Sequence, residues 1–337
     1  MAPADPSDNR RFSLIVPAYN SGHTLASCLE ALTNQSVPEE EYEVIVIDDG
    51  STDNTSNIAK AFRVKYLHQT NRGPASARNR GSRSATGDII LFTDSDCVPD
   101  HDWIRAMVNP FQDPDVVGVK GAYKTSQKQL AARFAQAEFE DRYDFLQKEP
   151  SIDMVDTYSA AFRKDVFLEM NGFDESFPVA NNEDTELSYR LASQGYKLVF
   201  NRRAFVYHTH PDTLVKYLKL KFWRGYWRMV VYRRYPDKAV KDSYTPAVIK
   251  LQTLLMGLAL PLLCISWAIP WFIYPALSLL GIILISSLPF SLKTFGKDGM
   301  VGLVSPGIVL LRAASFAIGG FLGIVKERGH SSSTVIS

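Results

Sequence analysis

The chain has 337 residues, 46% of them hydrophobic and 22% charged, enough for a full catalytic domain with a smaller region beside it. Its net charge of +1 hides an uneven split: from Val248 onward there are six basic and two acidic side chains, which leaves 31 basic against 34 acidic residues before that point. A mildly acidic front argues against a nucleic-acid binder, and three distant cysteines in no CxxC spacing (Cys28, Cys97, Cys264) suggest neither a zinc site nor a disulfide framework and fit a reducing compartment.

Residues 1–10 are polar, contain two prolines and read as a loose tail with no signal peptide. "FSLIVPAYN" opens with a short apolar run ended by Pro17, and Leu25, Cys28, Leu29 and Leu32 then recur at the i, i+3, i+4, i+7 spacing of one helix face. A second apolar run, "YEVIVIDDGSTDNTS", ends in acids and turn formers. After it come the helix-like "NIAKAF", the strand-like "VKYLH", the helix-like "PASARNRGSRSA" closed by Gly87, and the strand "DIILFT". Strands alternating with helices predict an α/β fold with a parallel sheet, whose ligands gather at the carboxyl ends of the strands. The unusual residues fall there: Tyr19 and Asn20, Asp48 and Asp49, Asp94 and Asp96.

In an extended segment alternate side chains share a face, so Asp94 and Asp96 can point into one crevice while Ser95 points away. Two carboxylates so close repel, and away from water they need a cation; hard oxygen ligands suit Mg²⁺ or Mn²⁺. The same DxD spacing recurs at Asp100/Asp102 and Asp113/Asp115, where a solvated turn is the simpler reading; only the first pair follows a buried-looking strand. Further on, "LAARFAQAEFEDRYDFLQ" is helix-like, and Asn181 or Asn182 can cap a helix whose first turn holds Glu183, Asp184 and Glu186, acids that also complement a helix dipole. The strand-like "KLVFNRRAFVYH" leads to His208 and His210.

Between Lys216 and Lys241 there are nine Lys or Arg against one Asp, which predicts a face held on the anionic cytoplasmic leaflet, with Trp223 and Trp227 at headgroup level. Residues 236–248 read as a basic juxtamembrane linker, and 249–328 as a membrane region with two or three helices before a tail over 329–337. Leu251 to Leu292 holds no charged residue or histidine; as one helix it would stretch roughly 60 Å, about twice a bilayer core, so it must fold back. Pro270 is the natural break, giving spans near 251–269 and 271–290, with Lys293 and Lys297 returning to the starting side. Val301 to Val325 is apolar but carries Arg312 at its centre and five glycines, so a third span and an interfacial or re-entrant helix both remain open. The chain is thus expected at the cell membrane as a multi-pass protein with its front domain cytoplasmic. The sequons at Asn34 and Asn54 then read as chance matches.

"VPAYN", "VIVIDDGSTD", "NRGPASARNRG", "FTDSDCVPD", "NGFDE", "NEDTELSYRL" and "VYHTHP" together give the chain its resemblance to the family 2 glycosyltransferases, enzymes of the GT-A fold, over about Phe12 to Trp227. The resemblance implies a Rossmann-like, mostly parallel sheet flanked by helices over residues 11–235, followed by C-terminal transmembrane helices. It implies a nucleotide pocket lined by Pro17, Ala18, Tyr19 and Asn20, with Ser51 and Ser95 in the same donor-binding set. Asp49 would accept from the base, Arg78 and Asn79 would lie near the diphosphate, and Asp94 near the ribose. Asp96 would bind Mg²⁺ or Mn²⁺ with His208 as a second ligand, His210 being the weaker choice. Asp184 matches the catalytic base of a direct, inverting displacement, and Arg224 would touch a phosphate of donor or acceptor, or an anionic lipid.

Processive polysaccharide synthases of this family carry a Q(or R)xxRW motif before a membrane span. Here "KFWRGYW" puts Lys221 first and Gly225 where the tryptophan belongs, which favours transfer of a single sugar from a nucleotide-diphosphate sugar to a lipid-linked saccharide or polyprenyl phosphate at the cytoplasmic leaflet. A processive synthase is one alternative. Another is a membrane-tethered nucleotide-sugar sensor, which would keep Asp49 and Asp96 but has no need of Asp184. No GxGxxG follows a strand and no GxxxxGK occurs, which disfavours a Rossmann oxidoreductase and a P-loop enzyme.

Overall fold

A computed structural model describes residues 11–176, 182–240 and 245–327. By internal contacts the chain forms two units, one of residues 1–126 and 143–209, the other of residues 127–142 and 210–337. The chain thus leaves its first unit, contributes one helical stretch to the second, and returns.

In chain order the elements begin β1 (Phe12–Ala18), α1 (Leu25–Thr33), β2 (Tyr42–Asp48), α2 (Thr55–Lys60), β3 (Lys65–His68), α3 (Pro74–Ser84), β4 (Ile89–Phe92), β5 (Val98–Pro99), α4 (Trp103–Val108) and β6 (Val116–Lys124). There follow α5 (Leu130–Leu146), β7 (Ala160–Arg163), α6 (Lys164–Glu169), α7 (Glu183–Ser193) and β8 (Lys197–Tyr207). The last are α8 (Leu214–Arg234), α9 (Pro236–Val240), α10 (Ala247–Ser266), α11 (Ile273–Phe295) and α12 (Gly299–Glu327).

The eight strands form one sheet in the order β3-β2-β1-β4-β7-β6-β8-β5. β1 runs parallel to β2 and β4, and β2 to β3, as the alternating pattern predicts; β7 then enters antiparallel between β4 and β6. This is the GT-A arrangement, a mostly parallel sheet flanked by helices. β1 and β2 are almost wholly buried and mostly apolar: Leu14, Ile15 and Val16 pair in register with Val44, Ile45 and Val46. Each such side chain taken from water contributes about 1.5–3 kcal/mol. Helix α1 covers the sheet with the four residues its spacing singles out, since Leu25, Cys28, Leu29 and Leu32 are all fully buried.

The chain builds β1, β2 and β3 toward one edge of the sheet, then places β4 on the other side of β1. That reversal of strand order opens a crevice between the carboxyl ends of β1 and β4. β4 pairs with β1 only as far as Ile15–Phe92, while β1 continues to Ala18 along β2.

In the second unit, α10, α11 and α12 are each long and apolar enough to cross a membrane, by length and composition. The first turnaround falls where Pro270 predicts it, between the end of α10 at Ser266 and the short 3-10 turn Pro270–Phe272. The stretch from Val301 to Val325 is part of one continuous helix, and Arg312 near its centre is buried. Its guanidinium bonds to Glu138 of α5 and, at 2.6 Å, to Gln252 of α10. The other Glu138 oxygen accepts from Tyr217 (2.7 Å) and Lys221 (2.8 Å) of α8. Lys293 and Lys297 pair with Asp141 and Glu140 of α5, at 2.5 and 3.0 Å. Within the stretch read as a linker, residues 236–240 form α9, and 241–244 lie outside the described residues.

Gly225 lies where α8 and α12 touch backbone to backbone. A Cβ at Gly225 would stand 2.7 Å from the carbonyl oxygen of Phe316, and one at Gly323 2.5 Å from that of Tyr226. The glycine at 225, which departs from the processive motif, is therefore what this helix pair needs in order to close.

Candidate active site

The crevice beyond β1 and β4 is a cavity of about 620 Å³, lined by three strand ends and one helix.

 After β1, Pro17, Ala18, Tyr19 and Asn20 line the crevice; after β2, Asp49; after β4, Asp94, Ser95 and Asp96; and from α3, Arg78. Tyr19 is half-exposed at the lip, an aromatic face free to stack on a flat ring.

Hydrogen bonds fix the walls. Asn20 adopts a left-handed φ of 49°. Its N–H donates to Ser51 Oγ at 2.9 Å, and its Oδ1 accepts from the Thr52 N–H at 2.8 Å. Ser51 thus lies behind Asn20 and is not among the lining residues. The Ser21 and Ser95 hydroxyls meet at 2.8 Å and tie the β1 rim to the β4 rim. Asp49 is buried and accepts from Gln69 Nε2 (2.7 Å) and the N–H groups of Arg72 (2.9 Å) and Gly73 (2.8 Å), so it anchors the loop that leads into α3. Burial alone would raise the Asp48 carboxyl, but hydrogen bonds from Tyr66 and Ser51 outweigh it and hold it below the ordinary value.

Arg78 is buried and spoken for on both sides. One nitrogen lies 2.6 Å from Asp94 and another 2.8 Å from Glu183 at the start of α7. Burial and the neighbouring Asp184 raise Glu183 to about 7, with Arg78 opposing them and Asp94 adding to the rise. Asn79 does not face the cavity. Its amide is occupied by the backbone of Phe173 (2.8 Å in each direction) and by Glu175 (3.0 Å). Asn182 is the N-cap of α7 in a left-handed conformation (φ 67°), yet its side chain makes no capping bond; Asp184 Oδ1 instead accepts from the Thr185 N–H at 2.7 Å. Asn181 lies outside the described residues.

Strand β8 ends at Tyr207, and His208 brings its Nδ1 to 3.8 Å from Asp96 and 3.7 Å from Cys97 Sγ. Stacking on Tyr123, with ring centroids 4.5 Å apart, fixes the imidazole. Donor atoms of Asp96, Cys97 and His208 all lie within 4.8 Å of one another. Bonds of about 2.1 Å to one ion set two ligands roughly 3 to 4.2 Å apart, so the Asp96–His208 spacing fits a shared divalent cation. His210 belongs elsewhere: it is buried in the second unit, bonded to Gln136 (2.9 Å) and stacked on Phe139, a satisfied core histidine.

Residues 13–170 match the family model described as "Glycosyl transferase family 2". The chain carries a family 2 glycosyltransferase domain. Among curated proteins it is 29% identical over 197 residues to "Glycosyltransferase AglE" of Haloferax volcanii, covering 56% of this chain and 63% of that protein. It is 27% identical over 248 residues to the "Pre-mycofactocin glycosyltransferase" of Mycobacterium tuberculosis, covering 70% of this chain and 50% of that protein. The chain therefore spans less than two thirds of the length of these relatives. Among solved structures it resembles "Mannosyltransferase PcManGT from Pyrobaculum calidifontis in complex with GDP-Man and Mn2+", with a TM-score of 0.63 and 20% identity over 96% of this chain and 89% of that one.

Besides Ser51, Asn79 and His208, two more expected residues of the glycosyltransferase domain stand apart from the cavity lining. Asp184 is not among the lining residues; its carboxylate acts electrostatically on its neighbour Glu183 and on Arg78, which does line the cavity. Arg224 lies on α8 in the second unit and lines the cavity there. Glu183 and Cys97 are the residues that sequence reasoning passed over. Both sit next to named acids, and the signal for each was burial, which only the fold supplies.

Proposed function

We propose that this chain is a membrane-anchored, inverting glycosyltransferase that moves one sugar from a nucleotide-diphosphate sugar to a lipid-linked saccharide or polyprenyl phosphate at the cytoplasmic leaflet. The observation that carries this reading is the meeting of Asp96 and His208 at 3.8 Å beside a cavity that already holds Asp49, Arg78 and Asp94. Asp96 and His208 would hold Mg²⁺ or Mn²⁺, which when bound neutralises the diphosphate oxygens on which charge grows. Tyr19 and Asp49 would position the base, and Asp94, fixed by Arg78, the ribose. The acceptor oxygen attacks the anomeric carbon as the bond from that carbon to the phosphate oxygen breaks, and the nucleoside diphosphate leaves with the electron pair. A hydroxyl acceptor gives its proton to Asp184; a lipid phosphate, already ionised, has none to give.

Three long apolar helices support membrane anchoring, and the burial of Arg312 against Glu138 and Gln252 removes the main objection to a third span. The tight approach of α8 to α12 at Gly225 favours single transfer over a processive channel, because the tryptophan of that motif has no room here.

The test uses the full-length protein in detergent with a native lipid extract and a panel of nucleotide sugars, with Mn²⁺, with Mg²⁺ and with a chelator. Metal-dependent release of nucleoside diphosphate, together with a lipid heavier by one sugar in the mass spectrum, is the expected result. A ladder of several sugars would point to the processive synthase. Binding without turnover, unchanged in Asp184→Asn, would leave the sensor.

A further inference from the structure

The second unit holds the larger cavity, about 760 Å³, in the range of about 300–1,000 Å³ typical of small-molecule sites. Three helix faces line it. On α8, Lys221, Arg224, Arg228 and Tyr232 follow one another at spacings of three or four residues, so they form a single stripe. On α10 the stripe is Lys250, Leu254, Gly257 and Leu258, and on α12 it is Phe316, Gly320 and Ile324.

The lining is basic in one part and oily in the rest. Glu138 is its one acid among the described lining residues, against Arg142, Lys221, Arg224, Arg228 and Lys250. Both Glu138 oxygens are already taken, by Arg312 on one side and by Tyr217 and Lys221 on the other. Arg224, half-buried, makes no hydrogen bond or ion pair among the described residues. Arg228 and Lys250 each lie just under 6 Å from the centre of the Tyr232 ring, at 5.9 and 5.8 Å, and Lys250 Nζ also donates to the Lys238 carbonyl at 3.0 Å. The remaining wall carries Leu254, Leu258 and Phe321, which are also 62%, 52% and 64% exposed, so the oily wall continues onto the outer face of candidate membrane helices.

We propose that this cavity binds the terminal phosphate of a long-chain lipid phosphate, with Arg224, Arg228 and Lys250 around the phosphate and the lipid chain running along α10 and α12. Charge selects this occupant over ordinary bilayer lipid. A phosphate monoester carries about 1.5 to 2 negative charges at pH 7, whereas a phosphodiester headgroup carries one, and among the described residues the cavity is lined by five basic side chains against one acid. Guanidinium forks suit phosphate oxygens, and the open apolar flank lets a chain longer than the cavity continue into the bilayer. The proposal deepens the acceptor half of the function proposed above and rests on it for its biological meaning, but the binding it describes can be measured without any transfer.

The experiment measures binding of geranylgeranyl phosphate to the full-length protein in detergent micelles by native mass spectrometry. Geranylgeraniol, inorganic phosphate and phosphatidylglycerol serve as comparison ligands. The expected result is saturable binding of geranylgeranyl phosphate, at least about tenfold tighter than any comparison ligand. Arg224→Ala combined with Arg228→Ala should weaken it about ten- to a hundredfold while leaving the weak binding of geranylgeraniol unchanged. Gly257→Phe is the second variant. A Cβ at Gly257, which lines the cavity, meets nothing within 4 Å, so the new side chain starts in open space on the cavity wall, and it should abolish binding of both isoprenoids. Equal binding of phosphatidylglycerol, or full binding in both variants, would overturn the proposal. Binding as expected with no sugar transferred to the lipid would uphold the cavity's role and remove lipid phosphate as the acceptor; transfer with no binding here would do the reverse.

Discussion

Arg78 donates to Asp94 across 2.6 Å from a side chain that is itself only 3% exposed. A buried guanidinium therefore sets the position of the first aspartate of the DxD pair, while its other arm holds Glu183. Arg78→Met would leave Glu183 buried without its cation and Asp94, which is half-buried, without its clamp. The loss should be about 3–5 kcal/mol in denaturant unfolding, with nucleotide binding lost as well. Adding Glu183→Gln should recover part of the stability but not the binding, since Asp94 remains unheld.

Glu183 gives a pH dependence with a definite sign. Its folded value, about 7, is above the ordinary 4.5, so between those values the folded state binds more protons than the unfolded one and stability falls as pH rises. Thermal unfolding should show this decline for the native protein between pH 4.5 and 7. Glu183→Gln should flatten it; an unchanged slope would mean that Glu183 titrates as an ordinary acid.

Asp184→Asn separates the two acceptor classes. With a hydroxyl acceptor the variant should lose about 10²–10⁴-fold in transfer rate. With a lipid phosphate acceptor, which has no proton to lose, the loss should stay under about tenfold. Initial rates of nucleoside diphosphate release with each acceptor decide between them, and donor binding should be unaltered in both cases.

Asp96→Asn and His208→Ala should each weaken Mn²⁺ binding, read by the electron paramagnetic resonance signal of free Mn²⁺. Because the two ligands sit 3.8 Å apart, the double variant should bind hardly less than the weaker of the two single variants. Independent, additive losses would mean that they do not share an ion.

Gly225→Trp installs the residue that processive synthases carry. The new side chain would meet the α12 backbone at Phe316, so the protein should fail to fold or lose several kcal/mol of stability, roughly the upper end of overpacking costs. Size-exclusion profile and melting temperature read the result; a stable, monodisperse variant would show that the two helices can separate without cost.

Much of the first unit was legible in the sequence because its determinants are local. Four apolar runs became β1 to β4, and the spacing of Leu25, Cys28, Leu29 and Leu32 gave the buried face of α1 residue for residue. The cluster of Tyr19, Asn20, Asp49, Asp94 and Asp96 followed from one rule about strand ends. What could not be read there depends on partners far along the chain. Nothing near Arg312 announces Glu138, and the antiparallel entry of β7 depends on a pairing between Ala160–Arg163 and Ile89–Phe92 that leaves no local trace. Asn79 and Arg78 are neighbours in one motif, yet on a helix they diverge, one toward Phe173 and the other toward the cavity.

The knot at Glu138 has a consequence for how the helical tail can be handled. One carboxylate receives Arg312, Lys221 and Tyr217, and through Arg312 it reaches Gln252, so four helices share a single fastening supplied from the middle of the chain. Cut away from residues 127–142, the oily hairpin and its third helix would keep a stranded guanidinium at their heart. The C-terminal part is therefore no exchangeable anchor that could be swapped onto another enzyme or trimmed for convenience.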